Sequence, residues 1–183
     1  MSRELRAAAH HLDRAAYQSI ARTTSPGLDQ GLATVSRCAD RSRIWLACSA
    51  LLGAIGGSEG RAAAKTGLAA IGVTSTIVNL ALKPIARRRR PDRAAHEVAA
   101  TRHVPMPVST SFPSGHSASA FAFATAAGAV LPRAAAPLRA LATLVAYSRV
   151  HTGVHYPGDV LAGSLIGALG GRMTARHVRR RAG

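Results

Sequence analysis

Aromatic side chains are scarce in this 183-residue chain: three Phe, three Tyr and one Trp make up 4% of it. Runs of β-branched and aromatic residues alternating at period two are missing as well, which argues against a β-sandwich. Cysteine is nearly absent. Cys38 and Cys48 are too few for a disulfide framework, and no CxxC pair marks a zinc site. Acidic residues number 8 against 24 Lys and Arg, for a formal net charge of +16. The N-terminal residues lack the basic, apolar and small-residue order of a cleaved export signal.

What the chain does have is small apolar residues. Nearly half of it is hydrophobic, and Ala and Gly carry much of that share, a composition that suits closely packed helices whose backbones approach one another. The length suits one domain. The cations are clustered in the first 43 residues, in 87–93 and in 172–181. Such runs read as solvated flanks of a hydrophobic protein. A basic chain also fits nucleic acid, an anionic membrane surface or an acidic substrate. No basic recognition helix or aromatic platform is present, so a nucleic-acid partner is not expected.

Residues 1–43 form a basic amphipathic N-terminal segment. Leu5, Leu12, Tyr17 and Ile20 recur at roughly helical spacing and "TTSPGLD" interrupts at 23–29, which predicts two short helices around a turn. Five apolar segments follow, near 44–57, 62–82, 117–131, 137–147 and 160–171; the last two extend to 134–149 and 157–175. A spanning helix needs about 20 apolar residues, and stretches of about 10–14 are more often buried core helices. Only the second segment is clearly long enough, with Lys65 near its start. Five successive apolar helices with short loops and almost no internal acids favour a membrane bundle over a soluble one. The expected fold is all-α: a transmembrane bundle of about five spans, six if the N-terminal part supplies one. The expected layout is the N-terminal segment 1–43, a membrane domain 44–175 and a basic cytoplasmic tail 176–183. Gly163, Gly167 and Gly171 recur every four residues, a face that permits tight helix crossing.

Three polar islands fall on one side of such a bundle: "KPIARRRRP", "PSGH" and "SRVHTGVHYPGD". The opposite side carries "EGRAAAK", "PRAAAPLR" and the basic tail, and reads as cytoplasmic by the positive-inside rule. The Arg run on the outer side breaks that rule, which calls for a functional reason. His151, His155 and Asp159 have the spacing of metal ligands on one helical face, but Gly153, Pro157 and Gly158 break a continuous helix through them. No metal is expected. Ionisable groups converging at a membrane boundary are a site by default. Lys83, Arg90 and Arg149 supply cations suited to phosphate oxygens. Ser114 and Gly115 open a helix whose N–H groups favour an anion. Of His116 and His155, one imidazole can attack phosphorus and the other can protonate the leaving oxygen. Asp159, four residues beyond His155, is placed to orient an attacking imidazole.

The patterns K-x6-RP, PSGH and SR-x5-H-x3-D, in this order from Lys83 to Asp159, resemble the signature of the type 2 phosphatidic acid phosphatase superfamily. That superfamily is shared by lipid phosphate phosphatases, isoprenyl-diphosphate phosphatases, class A acid phosphatases and vanadium haloperoxidases. The resemblance implies that Lys83, Arg90, Arg149, Ser114 and the Gly115 amide bind phosphate. It implies His155 as the nucleophile that forms a phosphohistidine, oriented by Asp159, and His116 as the acid for the leaving group. Arg87, Arg88 and Arg89 fall in the variable gap of the first motif, as headgroup contacts or spare surface charge. The expected activity is metal-independent and cofactor-free hydrolysis of a lipid or isoprenoid phosphate or diphosphate by a multi-pass plasma-membrane protein, at its outer face. The alternatives are a soluble or peripheral acid phosphatase or haloperoxidase of the same superfamily, or a non-catalytic basic lipid-binding membrane protein. The identity of the lipid and the oligomeric state do not follow from the sequence.

Overall fold

A computed structural model of the chain describes residues 3–23 and 25–182. Among these residues the architecture is all-helical, as the composition predicts. Two amphipathic helices, α1 (Arg3–Ala21) and α2 (Pro26–Cys38), lead into α3 (Arg43–Ile55). Gly56 and Gly57 turn the chain back into α4 (Gly57–Ala86); Gly57 takes φ +60, which a glycine adopts without a Cβ penalty. A Cβ on Gly60 would sit 2.0 Å from the Leu52 carbonyl oxygen, so this hairpin closes only with glycine there. The last turns of α4 widen into a π-helix at Ile77–Leu82, and the chain leaves the helix at Arg87 with φ 45. A long loop then leads to α5 (Gly115–Val130), α6 (Pro132–His151) and α7 (Pro157–Ala182). Pro132 stands in the first turn of α6, where a missing N–H costs nothing.

Helix α5 is the centre of the bundle. Ala118, Ala120, Ala122, Ala124, Ala126 and Ala127 are all buried on it, and α4, α6 and α7 pack around it. The four-residue glycine repeat is the α5–α7 seam. Cβ atoms on Gly163, Gly167 and Gly171 would lie 2.4, 2.2 and 2.5 Å from the carbonyl oxygens of Ser114, Ala118 and Ala122. The two backbones therefore touch in four-residue register, which fixes the height of α7 against α5. Trp45 and Phe123 fill the space between α3, α4 and α5 at a ring separation of 5.3 Å, with Phe123 lying over Gly67.

Many large apolar side chains nonetheless face outward. Leu161, Leu165, Leu169 and Met173 form an exposed i, i+4 stripe on α7, and Val73, Ile77 and Leu80 are exposed on α4. Among the described residues one helix, α4, is long and apolar enough to cross a membrane by length and composition. Helix α7 continues without a break through residues expected as a separate tail. The site-bearing ends of α4, α5, α6 and α7 gather at one end of the bundle, and α1 and α2 lie across that end.

Candidate functional site

Each polar island arrives on a helix terminus. The π-turn delivers Lys83 at the end of α4, Ser114 caps the start of α5, Arg149 lies in the last turn of α6, and Asp159 in the first turn of α7. All eight residues singled out in the sequence, Lys83, Arg90, Ser114, Gly115, His116, Arg149, His155 and Asp159, lie at this end. A cleft of about 200 Å³ opens among Ser42, Trp45, Asn79, Lys83, Gly115 and His116.

His155 is buried. Its Nδ1 lies 3.5 Å from Asp159 Oδ2, and its Nε2 lies 3.0 Å from Arg90 Nη1. Arg90 also donates to Val154 O (2.8 Å) and Ser109 O (2.9 Å), so its guanidinium is pinned across the imidazole edge. Burial is the main influence on His155; the Asp159 contact opposes it, while Arg90 and Arg149 push the same way as burial. The result is a pKa pushed down to about 3, a neutral imidazole at physiological pH. Burial also pulls Arg90 below its usual value, although an arginine stays charged at neutral pH.

Asp159 is held on every side. Oδ2 accepts from the Tyr156 amide (2.9 Å) and from a short Ser111 hydroxyl contact; Oδ1 accepts from Arg88 Nη1 at 2.7 Å. Arg88 Nη2 then donates to Asp13 Oδ2 of α1 at 2.6 Å, and Asp13 Oδ1 accepts from the Gly158 amide at 2.6 Å. The Arg88 guanidinium stacks 4.3 Å over the Tyr156 ring. Arg88 is therefore not spare surface charge but half of a clamp on Asp159. On the far side of the Arg88–Asp13 pair, an apolar groove of about 1210 Å³ runs between α1 and the start of α7, lined by Leu12, Ala16, Phe112 and Leu161.

Across the cleft, Lys83 Nζ donates to Ser109 Oγ at 3.0 Å and sits 3.6 Å from where a Gly115 Cβ would project. Lys83 thus faces the open N–H end of α5. The Ser114 hydroxyl is buried as the α5 cap, accepting from Ser117 N, and its amide donates to Asp159 O at 2.9 Å. His116 Nε2 lies 2.9 Å from Asp40 Oδ1. Arg149 Nη1 donates to Ser36 Oγ at 2.6 Å and lies 3.7 Å from Asp40. The Arg149 Nε is buried without a protein partner.

His151 goes elsewhere. It meets Asp29 at 2.8 Å, and Asp29 also accepts from Arg102 at 2.8 Å, a buried staple between α2, the long loop and α6. His151, His155 and Asp159 do not converge, and among the described residues no three His, Cys, Asp or Glu side chains form a metal-holding group.

Sequence reasoning missed Asp13, Asp40, Ser36, Ser109 and Ser111, and misjudged Arg88. A signal was available for the acids. Only 8 residues in the chain are acidic, and the three aspartates in the described N-terminal helices and the turn after them, Asp13, Asp29 and Asp40, each meet a cation or histidine of the motif region.

The decaprenylphosphoryl-5-phosphoribose phosphatase of Mycobacterium tuberculosis is 39% identical over 108 residues, covering 52% of this chain and 55% of that protein. The chain thus spans about half the length of this relative. The protein of the same name from Mycolicibacterium smegmatis is 33% identical over 141 residues, 75% of this chain and 72% of its own. The lipid A 1-phosphatase of Rhizobium johnstonii is 43% identical over 65 residues, 36% of this chain and 27% of its own. Among solved structures, LpxE of Aquifex aeolicus superposes with a TM-score of 0.72 at 26% identity, covering 90% of this chain and 95% of its own. A transmembrane PAP2-type phosphatidylglycerolphosphate phosphatase from Bacillus subtilis gives 0.71 at 25% identity, covering 94% and 87%. Residues 64–182, well over half of the chain, match the PAP2 superfamily pattern, and the chain belongs to that family.

Proposed function

We propose that this protein is an integral membrane phosphatase that hydrolyses a lipid or isoprenoid phosphate or diphosphate through a phosphohistidine. The observation that carries the reading is a buried neutral imidazole, His155, with Nδ1 toward Asp159 and Nε2 toward Arg90, whose guanidinium shares the Ser109 hydroxyl with Lys83. Phosphate oxygens replace the imidazole as acceptor of the Arg90 fork and draw on Lys83, the unpartnered Arg149 Nε, the cap residue Ser114 and the Gly115 amide. Electrostatic stabilisation of the equatorial oxygens is the largest contribution, with a single lost donor worth about 3–4 kcal/mol.

The His155 Nε2 lone pair attacks phosphorus as the bond to the leaving oxygen breaks. Protonated His116 gives that oxygen its proton. Asp159 holds the His155 Nδ1–H and stabilises the charge that develops on the ring. His116, now neutral, takes a proton from water, whose hydroxide attacks phosphorus, releases inorganic phosphate and regenerates His155. Cations and a helix terminus supply the charge stabilisation, and no step calls on a metal.

The lipid nature of the substrate is supported by the exposed leucine stripe on α7 and by the small-residue interior. Continuous exposed apolar faces of this kind are uncommon on soluble monomers. The relatives' names point to polyprenyl-linked and saccharolipid phosphates as substrate classes to examine. In this reading α3 to α7 are five spans, residues 44–175 form the membrane domain, and the site end faces outward, opposite Arg133 and the cations of 172–181.

The test is phosphate release in detergent from a panel of lipid phosphates and isoprenyl diphosphates. Turnover is expected to persist with a chelator and to stop with vanadate. His155→Ala should lose essentially all of it; full activity in that variant would sink the assignment.

A further inference from the structure

Asp40 lies outside the three motifs and outside the residues that match the family pattern, yet its neighbours Ala39, Arg41 and Ser42 line the cleft and its carboxylate meets His116, which lines it too. It sits in the turn between α2 and α3, where Arg41 and Ser42 take φ 53 and φ 60. Two consecutive left-handed non-glycine residues are strained by about 1–3 kcal/mol each, a strain found mostly where the surrounding structure needs the conformation. Here it folds the turn over the mouth of the cleft. Asp40 Oδ1 reaches His116 Nε2 at 2.9 Å, and the His116 side chain is 24% exposed, so its ring keeps access to the cleft. The charged groups facing this pair are Arg149 at 3.7 Å and Lys83 and Arg43 farther off.

We infer that Asp40 is the positioning carboxylate of His116, as Asp159 is for His155. The inference rests on the phosphatase reading and deepens it. With Nε2–H held by Asp40, Nδ1 is the nitrogen that hands its proton to the leaving oxygen and later takes one from water. Two cations near His116, Arg149 and Lys83, oppose a charged imidazole, and the acid role needs that charge before transfer. A carboxylate within hydrogen-bond distance supplies the opposing attraction. The hydrogen bond to His116 is in turn the main cause holding the Asp40 carboxyl below its usual range, so Asp40 is ionised when His116 must be charged. The N-terminal segment therefore serves both histidines: Asp13 through Arg88 and Asp159, and Asp40 directly.

General acid catalysis matters when the leaving group is a poor one, which sets the test. Wild type and Asp40→Asn are compared on an alkyl lipid phosphate and on 4-nitrophenyl phosphate, whose phenolate leaves without a proton. A full acid contribution is about 10²–10⁴-fold, so loss of its positioning is expected to lower kcat/KM, which reports the leaving-group step and not the later attack of water, about ten- to hundredfold on the alkyl ester and less than about threefold on the aryl ester. The alkaline limb of the alkyl-ester pH profile should move to lower pH, and Asp40→Glu should restore part of the rate. Vanadate inhibition should stay within about threefold, which reports an intact phosphate cradle and fold. In a His116→Ala background, Asp40→Asn should add nothing. Equal losses on both esters, or weakened vanadate inhibition with an unchanged ratio of the two rates, would assign Asp40 to Arg149 or to the fold and overturn the inference. So would wild-type rates in Asp40→Asn. A wild-type protein that releases phosphate from neither ester would overturn the phosphatase reading along with it.

Discussion

Asp159 illustrates how a carboxylate is made single-minded by its neighbours. A backbone amide, a hydroxyl and a guanidinium occupy its oxygens, and each restricts the direction from which it meets His155. Arg88→Ala removes a charge-assisted bond to a buried carboxylate, worth about 1.5–3 kcal/mol. We expect kcat/KM to fall about ten- to hundredfold, with Asp13→Asn falling less because Arg88 retains its contact with Asp159; steady-state kinetics on one lipid phosphate checks both. His155 carries a pH prediction. Its folded pKa is depressed to about 3, chiefly by burial, while an unfolded imidazole protonates near about 6.5. Between those values the unfolded chain binds a proton that the folded chain excludes, so stability falls as pH drops from about 6.5 towards 3, and above that window the residue has no effect. Melting in detergent at pH 7 and pH 4.5 should show a smaller acid loss in His155→Gln than in wild type.

At the scale of elements, the α5–α7 seam sets the geometry of the site. Ser114 N bonds Asp159 O across it, and the glycine contacts below hold the two helix starts level. Gly167→Leu places a branched side chain where even a Cβ would be 2.2 Å from Ala118 O. The helices must separate, and overpacking of this kind costs about 1–3 kcal/mol or more. Gly72, on the exposed face of α4, has nothing within 4 Å of its Cβ position. Gly72→Ala is expected to be neutral or to gain up to about 1 kcal/mol. Thermal melts of the two variants should move in opposite directions, and only Gly167→Leu should lose activity in proportion. The π-turn Ile77–Leu82 is a second positioning device. It changes the rotation of the helix end just before Lys83 and so aims that side chain at Ser109 and Gly115.

For the molecule as a whole, small residues inside and leucines outside invert the arrangement of a water-soluble bundle, and packing in lipid depends on such close backbone contact. The amphipathic helices α1 and α2 lie across the site end, so in the proposed orientation the N-terminal segment is on the outer side too. Cys38 at the end of α2 is exposed, and Cys48 within α3 is less so. In a Cys48→Ser protein expressed in cells, a membrane-impermeant maleimide should label Cys38 without lysis. Labelling only after permeabilisation would place the site on the inner side.

The sequence by itself determined the helical class, the apolar segments, the glycine seam and the set of eight candidate site residues that the fold gathers at one end. These depend on local periodicity and on motif spacing, which a single chain displays directly. Its apolar segments mark helix cores better than helix ends: α4 runs Gly57–Ala86 and α7 runs Pro157–Ala182, because polar ends continue a helix that packing has already begun. Motif spacing singled out Arg90 among four adjacent arginines, and tertiary structure alone gave Arg88 its place beside it. Arg88 turns to Asp159 and Asp13, and Arg90 to His155, a choice that depends on a left-handed residue at Arg87 and on the path of the loop after it. It also brought Asp13 and Asp40 to the site from 146 and 76 residues away from the groups they serve, Asp159 and His116. No periodicity or local spacing encodes such a pairing. It arises because α1 and α2 fold back across the bundle end, where the few carboxylates of a +16 chain are drawn to its buried cations.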